Sequence, residues 1–394
     1  MTGWTTRFAV AAVLAAALPA GAQDRPVLVG AVVSQTGAHA ELAVEYGKGL
    51  QLWAEQVNGA GGLLGRVVEL RMLDDGSEAV KTGDLYDRLI RQDKADLLVG
   101  PYGTAAALMG AARAESARRV MVTGAAPSRA VHKRSPRFVF QAGVPYAQYG
   151  APLLDLVRAR GYRNLYIIAR DDPVNTEMAQ ALQEKALKLG LNVPDVEIYP
   201  AGASDFALQA GKARSAQADA WLAFGEVRDA AEMIKSLKKQ GYAPPLFFSR
   251  GASDPALFKR VGQDAEFALG EREYDARLPT AGNGRFVEAF KAKFGAAPGA
   301  AAAEGYAAAS VLADGVRRAG TLDQDKLRAA LSALSTDTVL GPYKVDPLTG
   351  EQLAAAPVLT QVQRGKEQIV WPRSAATAEA VLPYPQWNER KILK

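Results

Sequence analysis

The sequence contains no cysteine and only two histidines, His39 and His132. Without cysteine there can be no disulfide, no thiolate nucleophile, no Cys/His zinc set and no acylated cysteine at the end of an export signal. Both histidines fall in loops, no His-Glu-x-x-His spacing occurs, and no Gly-x-Ser-x-Gly elbow is present. Catalysis, a metal site and a cofactor are therefore not expected. Long apolar runs are also missing: Phe8–Leu18 is eleven residues, short of the roughly 20 that cross a bilayer, and no later segment approaches that length. Charge of one sign is not concentrated either. Lys and Arg exceed Asp and Glu by five, but they are scattered, and the densest cluster is His132-Lys133-Arg134 beside Arg129 and Arg137. That reads as a solvated loop, with a docking point for a membrane partner as the alternative, and not as the continuous basic stripe that tracks nucleic acid.

What is present begins with an export signal. Met1–Ala22 carries one cation, Arg7, the apolar run, and a small-x-small site at Ala20-Gly21-Ala22 that places cleavage before Gln23. The expected destination is the periplasm of a Gram-negative cell. Roughly 370 residues remain, enough for two domains.

Strand-then-helix units follow, as a parallel sheet with crossover helices requires. Val27–Val33 is almost wholly apolar, so it is read as a central strand covered on both faces. A polar loop leads to a helix over 41–58 with the stripe Leu42, Tyr46, Leu50, Trp53 and Val57. Further strands are expected at 67–73, 97–99 and 120–122, with helices at 78–92 and 104–117. The pattern restarts after 138–141: helix 146–160, strand 165–169, helix 176–189, strand 193–199, helix 205–216, strand 220–224, helix 228–240 and strand 246–249. Two or three helices, 300–319 and 323–334 among them, and short strands at 339–345 and 358–362 complete the folded part. The tail from Pro372 is expected to lie extended along the surface.

In open α/β sheets ligands sit at the carboxyl ends of the strands. Thr104, after Gly100-Pro101-Tyr102-Gly103, is expected to cap its helix and to offer a hydroxyl and free N–H groups to a carboxylate; Ala125-Ala126-Pro127-Ser128 should lie beside it. Gly59–Gly65 follows a helix and lacks the Gly-Lys-Ser/Thr ending, so it is a helix end and turn, not a phosphate loop. Asp74-Asp75 reads as a solvated turn at a strand end and not as a calcium site.

Taken in order, Val29-Gly30, Thr36-Gly37, Tyr46-Gly47, Asn58-Gly59-Ala60-Gly61-Gly62-Leu63-Leu64-Gly65, Asp74-Asp75, Val99-Gly100-Pro101-Tyr102, Leu340-Gly341-Pro342-Tyr343 and Tyr384-Pro385 resemble the periplasmic leucine/isoleucine/valine-binding proteins of ABC importers, from about residue 26 to 390. The resemblance implies a type I periplasmic binding fold: two doubly wound α/β lobes, joined by three crossovers, that close on a ligand. Lobe 1 would comprise 26–145 and 277–340, lobe 2 would comprise 146–276 and 341–372, and the tail 373–394. It also implies a monomer that captures a small carboxylate and delivers it to a membrane permease, or a ligand-sensing subunit on the same fold.

Carried over residue by residue, the resemblance makes Thr104 the carboxylate hydroxyl, Tyr46 a pocket-wall aromatic and Ala125 a backbone donor. Pro127 stands where the family has threonine, with Ser128 as substitute, and proline has no N–H to give. The second-lobe tyrosine falls near Phe224 and Glu226, and the glutamate that would neutralise an ammonium falls near Arg250. Tyr102, Tyr146 and Ala126 complete the candidate set. Arg250 in place of an acid points to an aromatic, 2-oxo or dicarboxylic acid; Glu226 turned inward would restore a branched-chain amino acid. Both ligand classes stay open.

Overall fold

The computed structural model describes residues 25–390; the expected export signal, Met1–Ala22, lies outside them. The first strands and helices alternate: β1 (Val27–Val32), α1 (Ala40–Gly59), β2 (Val68–Leu73), α2 (Ala79–Arg91), β3 (Leu97–Val99), α3 (Thr104–Ser116), β4 (Met121–Thr123) and β5 (Val139–Gln141). The strands form one parallel sheet in the order β2-β1-β3-β4-β5. β1 is buried along its whole length, as its unbroken apolar run requires. The order reverses at β1, so the loops after β1 and β3 diverge there and leave a crevice.

The second sheet is built from a longer stretch. It runs α4 (Ala151–Ala159), β6 (Leu165–Arg170), α5 (Pro173–Lys188), β7 (Val196–Tyr199), α6 (Ala207–Ser215), β8 (Ala220–Phe224), α7 (Val227–Lys239), β9 (Leu246–Ser249), α8 (Ala256–Val261) and β10 (Leu269–Arg272). The chain then makes α9 (Asn283–Phe294), α10 (Ala300–Ala319), α11 (Gln324–Ser332) and the hairpin β11 (Ser335–Thr338) and β12 (Gly341–Lys344), before returning as β13 (Val358–Gln363) and β14 (Lys366–Trp371). The seven-stranded order is β14-β13-β10-β9-β8-β6-β7, with β13 antiparallel to β10 and β14 antiparallel to β13. β10 and β14 carry no sequence expectation, and β10 proves to wall the cleft.

The helices after β10 belong with the first sheet. α10 is an alanine helix because it must approach α1 closely: a Cβ on Gly49 would lie 2.1 Å from the Ala302 carbonyl oxygen, and one on Gly305 would lie 2.3 Å from that of Tyr46. Small residues let two backbones meet where larger side chains would hold them apart. The expected lobe boundary at 340/341 shifts. Gly341–Lys344 pairs with Ser335–Thr338, and Tyr343 and Val345 are buried in the first core, so the chain stays with the first sheet until about residue 345.

Three further local expectations change. The helix expected over 146–160 is broken: a single 3₁₀ turn at Tyr146–Gln148 ends in the extended Tyr149, Gly150 follows with a φ of +71° that no helix interior tolerates, and α4 starts afresh with Pro152 in its first turn. α5 begins at Pro173, three residues before the expected Thr176, because Asp172 accepts from the backbone N–H groups of Val174 and Asn175, a cap worth about 1 kcal/mol. The tail does not lie loosely on the surface. Tyr384 is buried against Phe247, Trp387 donates to the Tyr242 carbonyl, and the Arg390 guanidinium sits 3.6 Å from the Trp387 ring centre and 4.2 Å from that of Tyr384. No helix among the described residues is long and apolar enough to cross a membrane.

Candidate ligand-binding cleft

A cleft of about 680 Å³ opens between the two sheets, lined from both. From the first come Tyr102, Gly103 and Thr104 after β3, Ala125 and Pro127 after β4, Leu42 and Glu45 of α1, and Gly299 to Ala301 with Glu304 at the start of α10. The second supplies Glu226 and Val227 after β8, Arg250 and Gly251 after β9, Glu271 and Arg272 on β10, and Glu273 just after it. Tyr146 and Tyr149 stand on the segment that passes between them.

Of the ten candidate residues the structure brings six to this cleft: Tyr102, Thr104, Ala125, Tyr146, Glu226 and Arg250. Thr104 is not itself the cap. Gly103 holds that position, and no side chain caps α3, which leaves the Thr104 hydroxyl and the first-turn N–H groups available at the cleft. The other four lie elsewhere, each for a physical reason. Tyr46 is fully buried behind the wall, its hydroxyl donating to the Gly100 carbonyl at 2.9 Å and its ring packed edge-on to Tyr102. Ala126 points into the core under the sheet, and its carbonyl accepts from Gln141. Phe224 is buried against Phe248. Ser128 lines a separate recess, where its hydroxyl donates to Glu177 on α5 at 2.6 Å. Asp75, expected at a solvated turn, is buried and accepts from Ser34 and Thr82, tying the end of β2 to β1 and α2. His132, expected in a solvated loop, is buried with Nδ1 2.8 Å from the Thr349 carbonyl oxygen.

The electrostatics of the cleft rest on residues that sequence reasoning passed over. Arg250 does face it, but its Nη1 donates to Glu226 at 3.1 Å, so cation and anion answer each other. Beside this pair Glu271 is 3% exposed; its Oε2 accepts from the Gly150 N–H at 2.8 Å and its Oε1 has no partner. Burial raises its pKa to about 8, opposed in part by the Gly150 N–H and the Arg250 guanidinium and reinforced by Glu273. Glu273 takes one bond, from the Tyr149 hydroxyl at 3.2 Å. Glu304 is pushed well above the usual carboxylate range by desolvation, then by the charges of Glu273 and Glu45. Burial also raises the Tyr146 phenol to about 12.

Two signals for these acids were present in the sequence. Glu271 and Glu273 end an apolar run, Phe267-Ala268-Leu269, and Glu304 is the one charge in an alanine stretch, on the same helical face as Ala301 and Ala308.

Comparison with known proteins finds the same fold. The sequence model of the family described as periplasmic binding protein matches residues 26–367. The chain belongs to that family. Among its periplasmic binding protein relatives, an amino acid binding protein of Pseudomonas aeruginosa is 26% identical over 323 residues, covering 81% of this chain and 86% of that protein. The substrate-binding protein of a branched-chain amino acid transporter from Streptococcus pneumoniae, solved with isoleucine, superposes with a TM-score of 0.66 at 19% identity, over 91% of this chain and all of that one. An ABC transporter solute binding protein from R. palustris, solved with benzoate, gives 0.65 at 21% identity, over 91% and 98%.

Proposed function

We propose that the protein is the solute-binding component of an ABC importer, exported to the periplasm, which traps a small organic solute by closing its lobes. The observation that carries this reading is the cleft itself: both sheets line it, and the chain passes between them three times, near 142–150, 273–282 and 345–357. Those segments are the hinges. Thr104 and the first turn of α3 serve a ligand anion, the positive end of a helix being suited to one. The relatives named for amino acids, and the solved structures holding isoleucine and benzoate, support a small solute carrying a carboxylate. No residue set in the cleft combines a nucleophile with a base, so we assign no catalytic step.

Purified protein, examined by native mass spectrometry before and after refolding from denaturant, should lose a small-molecule adduct and open measurably in small-angle scattering. Periplasmic extract should then restore the compact form and, at a hundredfold excess of its active solute over Kd, stabilise the fold by about 2.7 kcal/mol. Stabilisation without compaction would argue against closure. Reconstituted with its permease in proteoliposomes, the loaded protein should drive ATP-dependent uptake. A closed form that instead switches a membrane sensor would assign the fold to sensing.

A further inference from the structure

We infer that the cleft takes a small organic cation, whose ammonium or guanidinium N–H groups are shared among the carboxylates of Glu271, Glu273 and Glu304. The inference rests on the binding function proposed above and names the class of solute.

Six carboxylate side chains line the cleft, Glu45, Glu226, Asp254, Glu271, Glu273 and Glu304, against two guanidiniums, Arg250 and Arg272. Both cations are already hydrogen-bonded to other partners, and Arg250 offsets the burial of Glu271 only in part. Arg250 is engaged by Glu226, and Arg272 by Glu367 at 2.6 Å and by the Ser253 carbonyl. Glu45 accepts from the Gly299 N–H at 2.6 Å. Glu271 is the decisive residue: almost wholly enclosed where it lines the cleft, it spends one oxygen on the Gly150 N–H and leaves the other, shut off from solvent, without a partner. A buried acceptor without a donor is costly, and an N–H-bearing cation supplies both the donor and the missing charge.

The neighbours of this acid cluster point the same way. Burial above all, and then repulsion by Glu273, raises the pKa of both Glu271 and Glu304. An anion arriving there would meet that repulsion. Tyr146 and Tyr149, set edge-on to each other at 5.8 Å, line the cleft beside the cluster, and aromatic lining suits an organic cation better than a metal ion. The shared chemistry is a cationic nitrogen beyond the α-ammonium that a zwitterion such as leucine balances with its own carboxylate, whether or not the ligand also carries a carboxylate for Thr104.

The test uses the full mature protein, refolded to remove endogenous solute, in calorimetry and thermal melting with arginine, lysine, agmatine and cadaverine, against leucine, benzoate and glutarate. We expect saturable binding of at least one of the four cations, weakened by added salt. Arginine or lysine binding while agmatine and cadaverine do not would add the carboxylate to the requirement. Glu271→Gln and Glu273→Gln, which keep shape and remove charge, should each weaken the bound cation by about tenfold or more. Leucine, benzoate or glutarate binding while all four cations stay silent would overturn the inference and leave the importer reading intact. So would a folded Glu271→Gln protein that binds the cation as tightly as the parent. Silence of every compound, with extract still restoring the compact form, would overturn the inference alone.

Discussion

The two walls of the cleft are made of different materials. After β3 and β4 the first sheet presents Gly103, Thr104, Ala125 and Pro127, small and uncharged, so what these loops offer a ligand is largely backbone, the charge on this side coming from Glu45 and Glu304 of the covering helices. Across the gap the second sheet presents Glu226, Arg250, Glu271, Arg272 and Glu273, so it offers charge. A wall of backbone is set by the fold and is damaged by adding atoms. A wall of side chains can change its charge without moving a strand.

The largest effect should come from adding atoms behind the first wall. In Gly305→Val the new Cβ would lie 2.3 Å from the Tyr46 carbonyl oxygen, forcing α10 off α1, and urea unfolding should show a loss of about 3 kcal/mol. A loss under half of that would mean that the seam yields and that the first wall is less rigid than its packing implies.

Removing charge from the second wall should do the opposite in the empty protein. Burial lifts Glu271 to about 8 from the ordinary 4.5 that the unfolded chain keeps. Between those values the folded state holds a proton that the unfolded state has released, so stability falls as pH rises through the window. Glu271→Gln should abolish that fall, gaining about 1–2 kcal/mol over the parent at pH 8.5 and little at pH 4, as read by urea midpoints. An equal gap at both pH values would show that Glu271 does not titrate there.

Thr104→Val separates the walls most directly. Its hydroxyl makes no cap bond, so stability should move by less than about 0.5 kcal/mol, whereas a carboxylate-bearing ligand should bind about tenfold more weakly by calorimetry. Affinity unchanged in the folded variant would confine recognition to the charged wall. The smallest effect is expected at Glu226, half exposed and already paired with Arg250. Glu226→Gln should cost less than about 0.5 kcal/mol in thermal unfolding, and a larger cost would mean that this pair is part of the wall's frame.

The same contrast explains what could be read from the chain. The first wall was legible because backbone positions follow from strand ends: the apolar β3, the glycines after it and the start of α3 fix Thr104 and Ala125 at the cleft. The shift of Thr104 from cap to first helical residue is a difference of one position. Tyr46 and Phe224 have the right elements but the wrong side, because an aromatic on a central strand or its covering helix gains more from the core than from a cleft. Glu271 and Glu273 were missed because β10 is only four residues long and pairs with β13, some 90 positions later, a contact that no local periodicity announces. Glu304 lay inside an alanine run whose helix was foreseen, but the approach of α1 that turns this face towards the cleft is again long-range. The relation of Arg250 to Glu226 likewise depends on two adjacent loops meeting across the sheet.

The closing segment bears on how such a chain is made. β10 is covered by β13, β14 covers β13, and the stretch from Tyr384 to Arg390 locks under the same sheet. The first sheet, though its strands are finished by Gln141, waits for α10, more than 150 residues further on, to cover its face. Neither half can reach its final packing while the chain is still emerging end-first from a ribosome or a narrow export channel. A polypeptide made in that way stays pliable until nearly its last residue has emerged, and acquires its two-part shape only then.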